Sequence, residues 1–155
     1  DVGPGSLAMD FRANFNDQEV KKVTPGTLNA ATVYDFENQV PNERVNLTFD
    51  YQSDSPLSGI VRLNYYGGWG DSGGQLAAGD NSEAVSYGSN LLVDLEAAYQ
   101  FNDMFRLAVG GENIFDQLPD SDGHFVAGLL GVDKALTSPF GFNGAFWYVR
   151  LSADF

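Results

Sequence analysis

One serine in a glycine-rich stretch is the first feature of this chain that could carry chemistry. Ser72 lies in the sequence GDSGG at residues 70–74. A serine hydroxyl becomes a nucleophile when a neighbouring base takes its proton. The only histidine among the 155 residues is His124, so no other imidazole could be that base. The pair raises hydrolysis as a hypothesis that the rest of the chain must support.

The rest of the chain does not support hydrolysis. The GDSGG sequence resembles the nucleophile loop of trypsin-like serine proteases, but in that family the histidine precedes the serine, and here His124 follows Ser72. That family also needs two complete barrels, for which this chain is too short, and a motif counts only in its structural context. We therefore expect residues 70–74 to be a flexible loop. No catalytic residue and no enzyme activity are predicted.

The sequence gives little support for a metal site as well. His124 stands near Asp116, Asp120 and Asp122 in the sequence and could contact a metal chelate in a loop. Residues 120–123 (DSDG) suggest calcium but lack the distal glutamate and the full spacing of an EF-hand loop. The absence of cysteine removes thiolate sites and disulfides. The sequence predicts no resident metal and no cofactor, and leaves His124 as a possible ligand contact.

Five arginines form a recurrent class, because each lies on the polar face of a different predicted strand: Arg12, Arg44, Arg62, Arg106 and Arg150. Charges in a confined interior need partners. We expect these arginines to pair with carboxylates of the same face or with a part of the protein that would fill the lumen, and a direct role in attracting an anionic ligand is the alternative. The possible lumen or ligand contacts are Arg12, Arg44, Arg62, Asn64, Tyr66 and His124.

The elements that must position these residues follow from alternation of apolar and polar side chains. The last strand has Trp147, Val149, Leu151, Ala153 and Phe155 on one face and polar residues between them. This period of two recurs at residues 6–16, 44–52, 59–66, 90–101 and 105–111. No run approaches the roughly 18 apolar residues of a spanning helix. The sequence predicts an all-β fold with one wet face.

The connections between these strands alternate in length. Short turns at 53–56 and 102–103 separate long loops at 17–43, 67–88 and 114–143, and residues 28–36 could hold a short element. Outer-membrane barrels have short periplasmic turns and long extracellular loops. We expect an antiparallel transmembrane β-barrel segment, with Tyr65, Tyr66, Trp69, Trp147 and Tyr148 near the extracellular rim. There the outward-facing rings would anchor the barrel at the membrane interface.

Six strands are too few to close such a barrel, because both sheet edges would be unpaired in lipid. The segment is therefore expected to belong to a larger barrel of about 22 strands. No DNA or RNA partner is expected, since the net charge of −13 would repel nucleic-acid phosphates. The chain starts at Asp1 without Met or a signal peptide, which we interpret as an internal cut or a processed end.

A family resemblance enters at residues 95–120, LEAAYQFNDMFRLAVGGENIFDQLPD. They look like the penultimate hairpin of TonB-dependent outer-membrane receptors, including the Asn-x-Phe-Asp sequence at 113–116. The end, SPFGFNG at 138–144 followed by AFWYVRLSADF, is similar to the last loop and closing strand of that family. The stretches NQVP, RVNLTFDY and RLNYYGGW also resemble family members. The likeness covers most of the chain from about Leu7.

The resemblance implies a receptor in the outer membrane of a Gram-negative bacterium. It would bind a scarce nutrient, such as a ferric siderophore, haem, cobalamin or a saccharide, at extracellular loops. Energy would come from the TonB complex, through an amino-terminal region that residues 1–155 do not contain. These residues would be the carboxyl-terminal portion of the barrel, without its plug domain and amino-terminal strands. Trp147, Val149, Leu151, Ala153 and Phe155 would form the signal for the barrel-assembly machinery, in contact with membrane lipid.

Two other classes stay open from the residues alone. A small complete outer-membrane barrel with a structural or adhesion role would need further strands hidden in the long loops. A soluble all-β binding protein is the third possibility. The consistent alternation of turns and loops, together with the aromatic terminal residue Phe155, speaks against it.

Overall fold

Six long strands form one antiparallel sheet in this computed structural model, which describes residues 3–73, 84–124, 128 and 130–154. The elements are β1 (Gly5–Phe15), α1 (Ala30–Asn38), β2 (Glu43–Ser53), β3 (Leu57–Tyr66), β4 (Trp69–Asp71), β5 (Val85–Tyr87), β6 (Asn90–Gln100), β7 (Phe105–Glu112) and β8 (Phe146–Ala153). The strand order is β1-β2-β3-β6-β7-β8, with β4 and β5 paired separately. The predicted all-β class and all six predicted long strands are confirmed. Phe155 lies outside the described residues.

The register of the sheet places the predicted apolar residues in rows across the strands. Met9 pairs with Phe49, Phe49 with Val61, and Val61 with Leu95. The row continues through Gly111 to Trp147. Met9 and Trp147 are 66% and 63% exposed, so nothing in the described residues covers this apolar face. The sheet therefore presents a continuous hydrocarbon surface on one side.

The neighbouring row shows the opposite chemistry. Asp50 pairs with Ile60, Ile60 with Glu96, Glu96 with Gly110, and Gly110 with Tyr148. Successive side chains of a strand point to opposite faces, so this row lies on the other side of the sheet. The register thus separates a polar face from the apolar face over all six strands.

The short helix α1 lies within the first long loop. Its start is fixed by Asn29, whose side-chain oxygen accepts a hydrogen bond from the Thr32 backbone N–H at 2.8 Å. Such a cap satisfies a donor that the first helical turn leaves unpaired. The expectation of a short element near 28–36 is confirmed. Among the described residues, no helix has the length and apolar character needed to cross a membrane.

The second long loop contains a short hairpin that the sequence did not predict. Trp69 in β4 pairs with Tyr87 in β5, and the two rings stack with centroids 5.1 Å apart. Ala135 and Phe140 of the third loop pack against them. Trp69 is only 4% exposed, so it is not one of the outward-facing rings that would anchor the rim. Strands of three residues are too short to show alternation, and the ring is buried by contacts between loops.

We expect a glycine in β7 to be intolerant of even one added methyl group. A Cβ at Gly110 would lie 2.5 Å from the Tyr148 ring and 3.0 Å from the Leu95 carbonyl oxygen. Overpacking of this kind destabilises by about 1–3 kcal/mol, so Gly110→Ala should lower the free energy of unfolding by that amount. Gly59→Ala is the matched control, because its Cβ would meet only one atom, at 3.5 Å. Equal effects of the two variants in denaturant unfolding would contradict this packing.

Candidate functional site

A chain of hydrogen bonds crosses the polar face between neighbouring strands. The side chain of Asn46 donates to Asn64 at 2.7 Å, and the side chain of Asn64 donates to Asp94 at 2.8 Å. The other oxygen of Asp94 accepts from the Asn113 backbone N–H at 2.9 Å. Asn64, one of the predicted contact residues, therefore bridges β2 and β6 from its place in β3. These amides and the carboxylate fix the register on the wet side of the sheet.

Two of the five arginines make the predicted ion pairs. Arg12 pairs with Asp10 at 2.8 Å, with both side chains largely exposed. Arg150 pairs with Glu96 at 2.8 Å, and the Tyr148 hydroxyl donates to the same carboxylate at 2.7 Å. Glu96 thus binds two donors from β8 across the intervening β7. The pairing ties the last strand to the sheet on its polar face.

The other three arginines make no ion pair with a carboxylate among the described residues. Arg44 lies over the Tyr66 ring, with its guanidinium carbon 4.9 Å from the centroid, and donates to the Tyr66 hydroxyl at 3.3 Å. Arg106 donates to the Ser58 hydroxyl at 3.0 Å. Arg62 makes no ion pair with any described residue.

Five residues from the three long loops meet beyond the sheet: Asp35, Asp71, Ser72, Asp122 and His124. We call this set the loop cluster. The backbone N–H and the hydroxyl of Ser72 each donate to one carboxylate oxygen of Asp35 at 2.8 Å. Asp35 belongs to α1, so this contact joins the first loop to the second. No sequence signal marked Asp35, because it lies 37 residues from Ser72 and belongs to no motif.

His124 joins the third loop to the second. Its Nδ1 lies 2.7 Å from a carboxylate oxygen of Asp122, and its Nε2 lies 3.0 Å from the Asp71 carbonyl oxygen. Both ring nitrogens therefore lie within hydrogen-bond distance of an oxygen atom. The residue is 7% exposed. The histidine therefore holds loops together, and both of its nitrogens are already used.

This geometry gives the serine motif a structural role. The Ser72 hydroxyl donates to a carboxylate of α1, and the His124 ring binds a backbone carbonyl and a carboxylate of its own loop. Gly73 adopts φ +62°, and a Cβ there would lie 2.6 Å from the His124 ring. The glycine that follows the serine is thus required for close packing against the histidine. Gly74 lies outside the described residues.

The surroundings of Tyr87 show that several carboxylates lie close together where the loops meet. Burial raises the pKa of the Tyr87 hydroxyl well above its usual range, and the nearby carboxylates of Asp122, Asp71 and Asp120 raise it further. Asp120 also accepts the Gly88 backbone N–H at 2.8 Å. Within the described ranges, no three acidic or histidine side chains are arranged to hold a metal ion. The carboxylates of this layer bind backbone and side-chain donors instead.

The Asn-x-Phe-Asp sequence forms the turn that leaves β7. Asn113 and Asp116 have positive φ values of 50° and 54°, a conformation that Asn and Asp adopt more readily than other side chains. The Asn113 side chain donates to the Gln117 carbonyl at 2.7 Å and accepts from the Gln117 N–H at 2.9 Å. Asp116 accepts from the Ala145 N–H at 2.9 Å. The motif therefore ties the end of β7 to the start of β8.

Comparison with known proteins shows the fold. The crystal structure of the siderophore receptor PirA from Acinetobacter baumannii matches all of this chain with a TM-score of 0.65 and 19% sequence identity. The chain spans 20% of the length of that receptor. No protein-family model and no curated protein matches the sequence. At this identity the likeness defines the chain as having the fold of a receptor β-barrel wall, and carries no further assignment.

We expect the loop cluster to need glycine at position 73 for two reasons: its positive φ and its close packing against His124. Gly73→Ala combines left-handed strain with a clash against His124. Gly26→Ala is the matched control, because Gly26 has φ +83° and no atom lies within 4 Å of the position that an alanine methyl would take. The strain alone should cost about 1–2 kcal/mol. Gly73→Ala should also open the cluster and speed hydrogen exchange at the Ser72 and His124 amides by at least about tenfold.

The β6 amides serve as the internal reference for that exchange measurement. They should remain protected in both variants, since the sheet does not depend on the loop cluster for its hydrogen bonds. Faster exchange of the Ser72 and His124 amides in Gly26→Ala to the same degree would show that the contact with His124 is not what holds the loops.

Proposed function

We propose that this chain is the carboxyl-terminal part of the barrel of an outer-membrane receptor for TonB-energised uptake of a scarce nutrient. The apolar face of the sheet would contact lipid, and the polar face would line the lumen. The three long loops would lie outside the cell. The plug, the remaining strands and the TonB-contacting segment would belong to parts of the receptor beyond these residues.

One observation carries the proposal: the six-stranded meander has one apolar face and one predominantly polar face, and it places every long loop at one end. The three strand pairs that lead into the long loops all end there: Phe15 with Glu43, Tyr66 with Asn90, and Glu112 with Phe146. A membrane barrel needs this arrangement, because its backbone groups pair between strands and its outer face meets hydrocarbon. The fold shared with a siderophore receptor and the family-like residues 95–120 and 138–155 support the same class.

The open edges of the sheet support the view that the barrel is larger. Strands β1 and β8 each pair on one side only within the described residues. In lipid, each unpaired backbone group costs several kcal/mol, so further strands must cover these edges. The small complete barrel would need membrane strands inside the long loops. The described parts of those loops hold α1 and the short β4–β5 hairpin instead, which makes that alternative the weaker one.

In this proposal Arg12, Arg44, Arg62, Asn64 and Tyr66 line the lumen. Trp147, Val149, Leu151 and Ala153 face lipid on the strand that would carry the signal for the barrel-assembly machinery. Iron chelates, haem, cobalamin and saccharides all remain nutrients of this proposal. The loop cluster would fix the shape of the surface that the nutrient meets.

Adjacent residues in the middle of β3 test which face meets lipid. Val61 lies in the apolar row, and Ile60 lies between Asp50 and Glu96 in the polar row. Arginine on the lipid face near the bilayer midplane costs about 2–4 kcal/mol. Val61→Arg should therefore reduce folding stability in bilayers by that amount. Ile60→Arg should cost clearly less, because two carboxylates flank the new charge. Equal losses for the two variants of the full-length protein would refute the assigned faces.

Uptake itself is tested by shortening the first long loop, residues 16–42, in the full-length receptor. Outer-membrane abundance should stay near normal, because the sheet does not use this loop for pairing, and growth on the limiting nutrient should fall. Ser72→Ala keeps the backbone bond to Asp35 and should leave growth close to that of the parent. Unchanged growth after loops 16–42, 67–89 and 113–145 are all shortened would refute the receptor function, and hydrolytic activity lost in Ser72→Ala would refute the class.

A further inference from the structure

A cavity of about 420 Å³ lies on the polar face at the end of the sheet where the long loops begin. Its walls include two carboxylates, three aromatic rings and an amide: Asp94, Glu112, Tyr66, Phe140, Phe146 and Asn143. The sequence did not predict that these residues lie together, because they come from four strands and from the third loop. The mixture of acidic and aromatic groups restricts what the cavity can hold.

The carboxylates of this cavity are not bound by basic side chains in the described structure. Asp94 accepts hydrogen bonds from two neutral amide donors, the Asn64 side chain and the Asn113 backbone. Its cross-strand neighbour Arg62 makes no ion pair with it in the described structure. Glu112 is exposed, and its side chain makes no hydrogen bond or ion pair with another described residue. The cavity wall therefore carries negative charge without a bound basic partner.

The aromatic rings favour the same sign of ligand charge. The faces of aromatic rings attract cations, most strongly where water is excluded. Arg44 shows this directly, because its guanidinium already lies 4.9 Å from the centroid of the Tyr66 ring. Tyr66 also contacts Phe140, with ring centroids 5.5 Å apart. Phe140 and Phe146 extend the aromatic wall beyond the position that Arg44 occupies.

The loops above the cavity add a field of matching sign. The described residues of the connections 16–42, 67–89 and 113–145 include 9 Asp or Glu residues and 3 Lys residues. Clefts lined by one sign of charge raise the local concentration of oppositely charged ligands. An anionic group would approach this cavity against both the loop charge and its own wall.

We propose that this cavity binds an organic cation, a primary ammonium or guanidinium group carried by the ligand of the receptor. The ammonium would lie between the Glu112 and Asp94 carboxylates, and its hydrocarbon part would pack on Phe140 and Phe146. That the cation belongs to a transported nutrient rests on the proposed receptor function. The binding preference itself does not, and it can be measured without transport.

The test uses the full-length protein in detergent micelles and three probes that share one ring: benzylammonium, benzyl alcohol and benzoate. Binding is followed by ligand-observed NMR titration at low salt. Benzylammonium should bind about three- to tenfold more tightly than benzyl alcohol, and benzoate more weakly than either. Raising the salt to about 1 M should remove most of the difference, because exposed charges are then screened.

Two variants locate the site. Glu112→Gln is nearly isosteric, and Glu112 makes no contact that folding needs, so it should bind benzylammonium about threefold more weakly and leave benzyl alcohol unchanged. Asp54→Asn is the matched control, because it removes the same charge from the exposed turn at the other end of the sheet. Phe146→Leu should weaken the binding of both benzylammonium and benzyl alcohol. Equal affinities for the three probes, or equal effects of Glu112→Gln and Asp54→Asn, would overturn the proposal.

The two proposals fail separately. Cation preference in micelles combined with unchanged growth after loop shortening would refute uptake and keep the site. Loop-dependent growth combined with no cation preference would keep the receptor and refute the site.

Discussion

The register of the six-stranded sheet is the constraint on which the rest of the structure depends. Side chains alternate between faces with a period of two, so a slip of one residue in any strand would move its apolar set to the polar face. The register is held from the polar side by specific contacts. Asn64 bridges its two neighbouring strands, and Glu96 binds Tyr148 and Arg150 of β8. A slip would break these bonds and leave carboxylates unpaired.

The loops depend on the sheet for their meeting point. Antiparallel pairing brings the three long connections to one end, and only there can Asp35, Ser72 and His124 approach each other. Asp71 is the centre of this arrangement. Its carboxylate accepts from the Gly73 N–H at 2.9 Å and from the Thr137 hydroxyl at 2.7 Å, while its carbonyl accepts from His124. These hydrogen bonds join the three long loops into one layer.

Sequence predicted the sheet well because alternation is a local signal that burial on one face enforces at every second residue. It predicted the turn at Asn102, whose side chain accepts from the Met104 and Phe105 N–H groups at 2.9 Å. It did not predict that Trp69 is buried, since that depends on Tyr87 and Phe140 from distant positions. The sequence also did not predict the hydrogen bonds between Ser72 and Asp35. Contacts between loops depend on where the strands end in space. The spacing of residues along the chain does not reveal these positions.

The distribution of charge differs between the sheet and the joined loops. On the polar face of the sheet, Arg150 neutralises Glu96, and Arg12 neutralises Asp10. At the loop end, backbone N–H groups, hydroxyls and amides take the place of arginines as donors to carboxylates. Neutral donors stabilise a carboxylate through hydrogen bonds and leave its net charge in place. The polar face is therefore close to neutral along the strands, whereas the described loop residues contain more carboxylates than basic groups and are negative. A solute arriving from the loop side meets the negative region first, so selection by charge is possible before any contact with the strands.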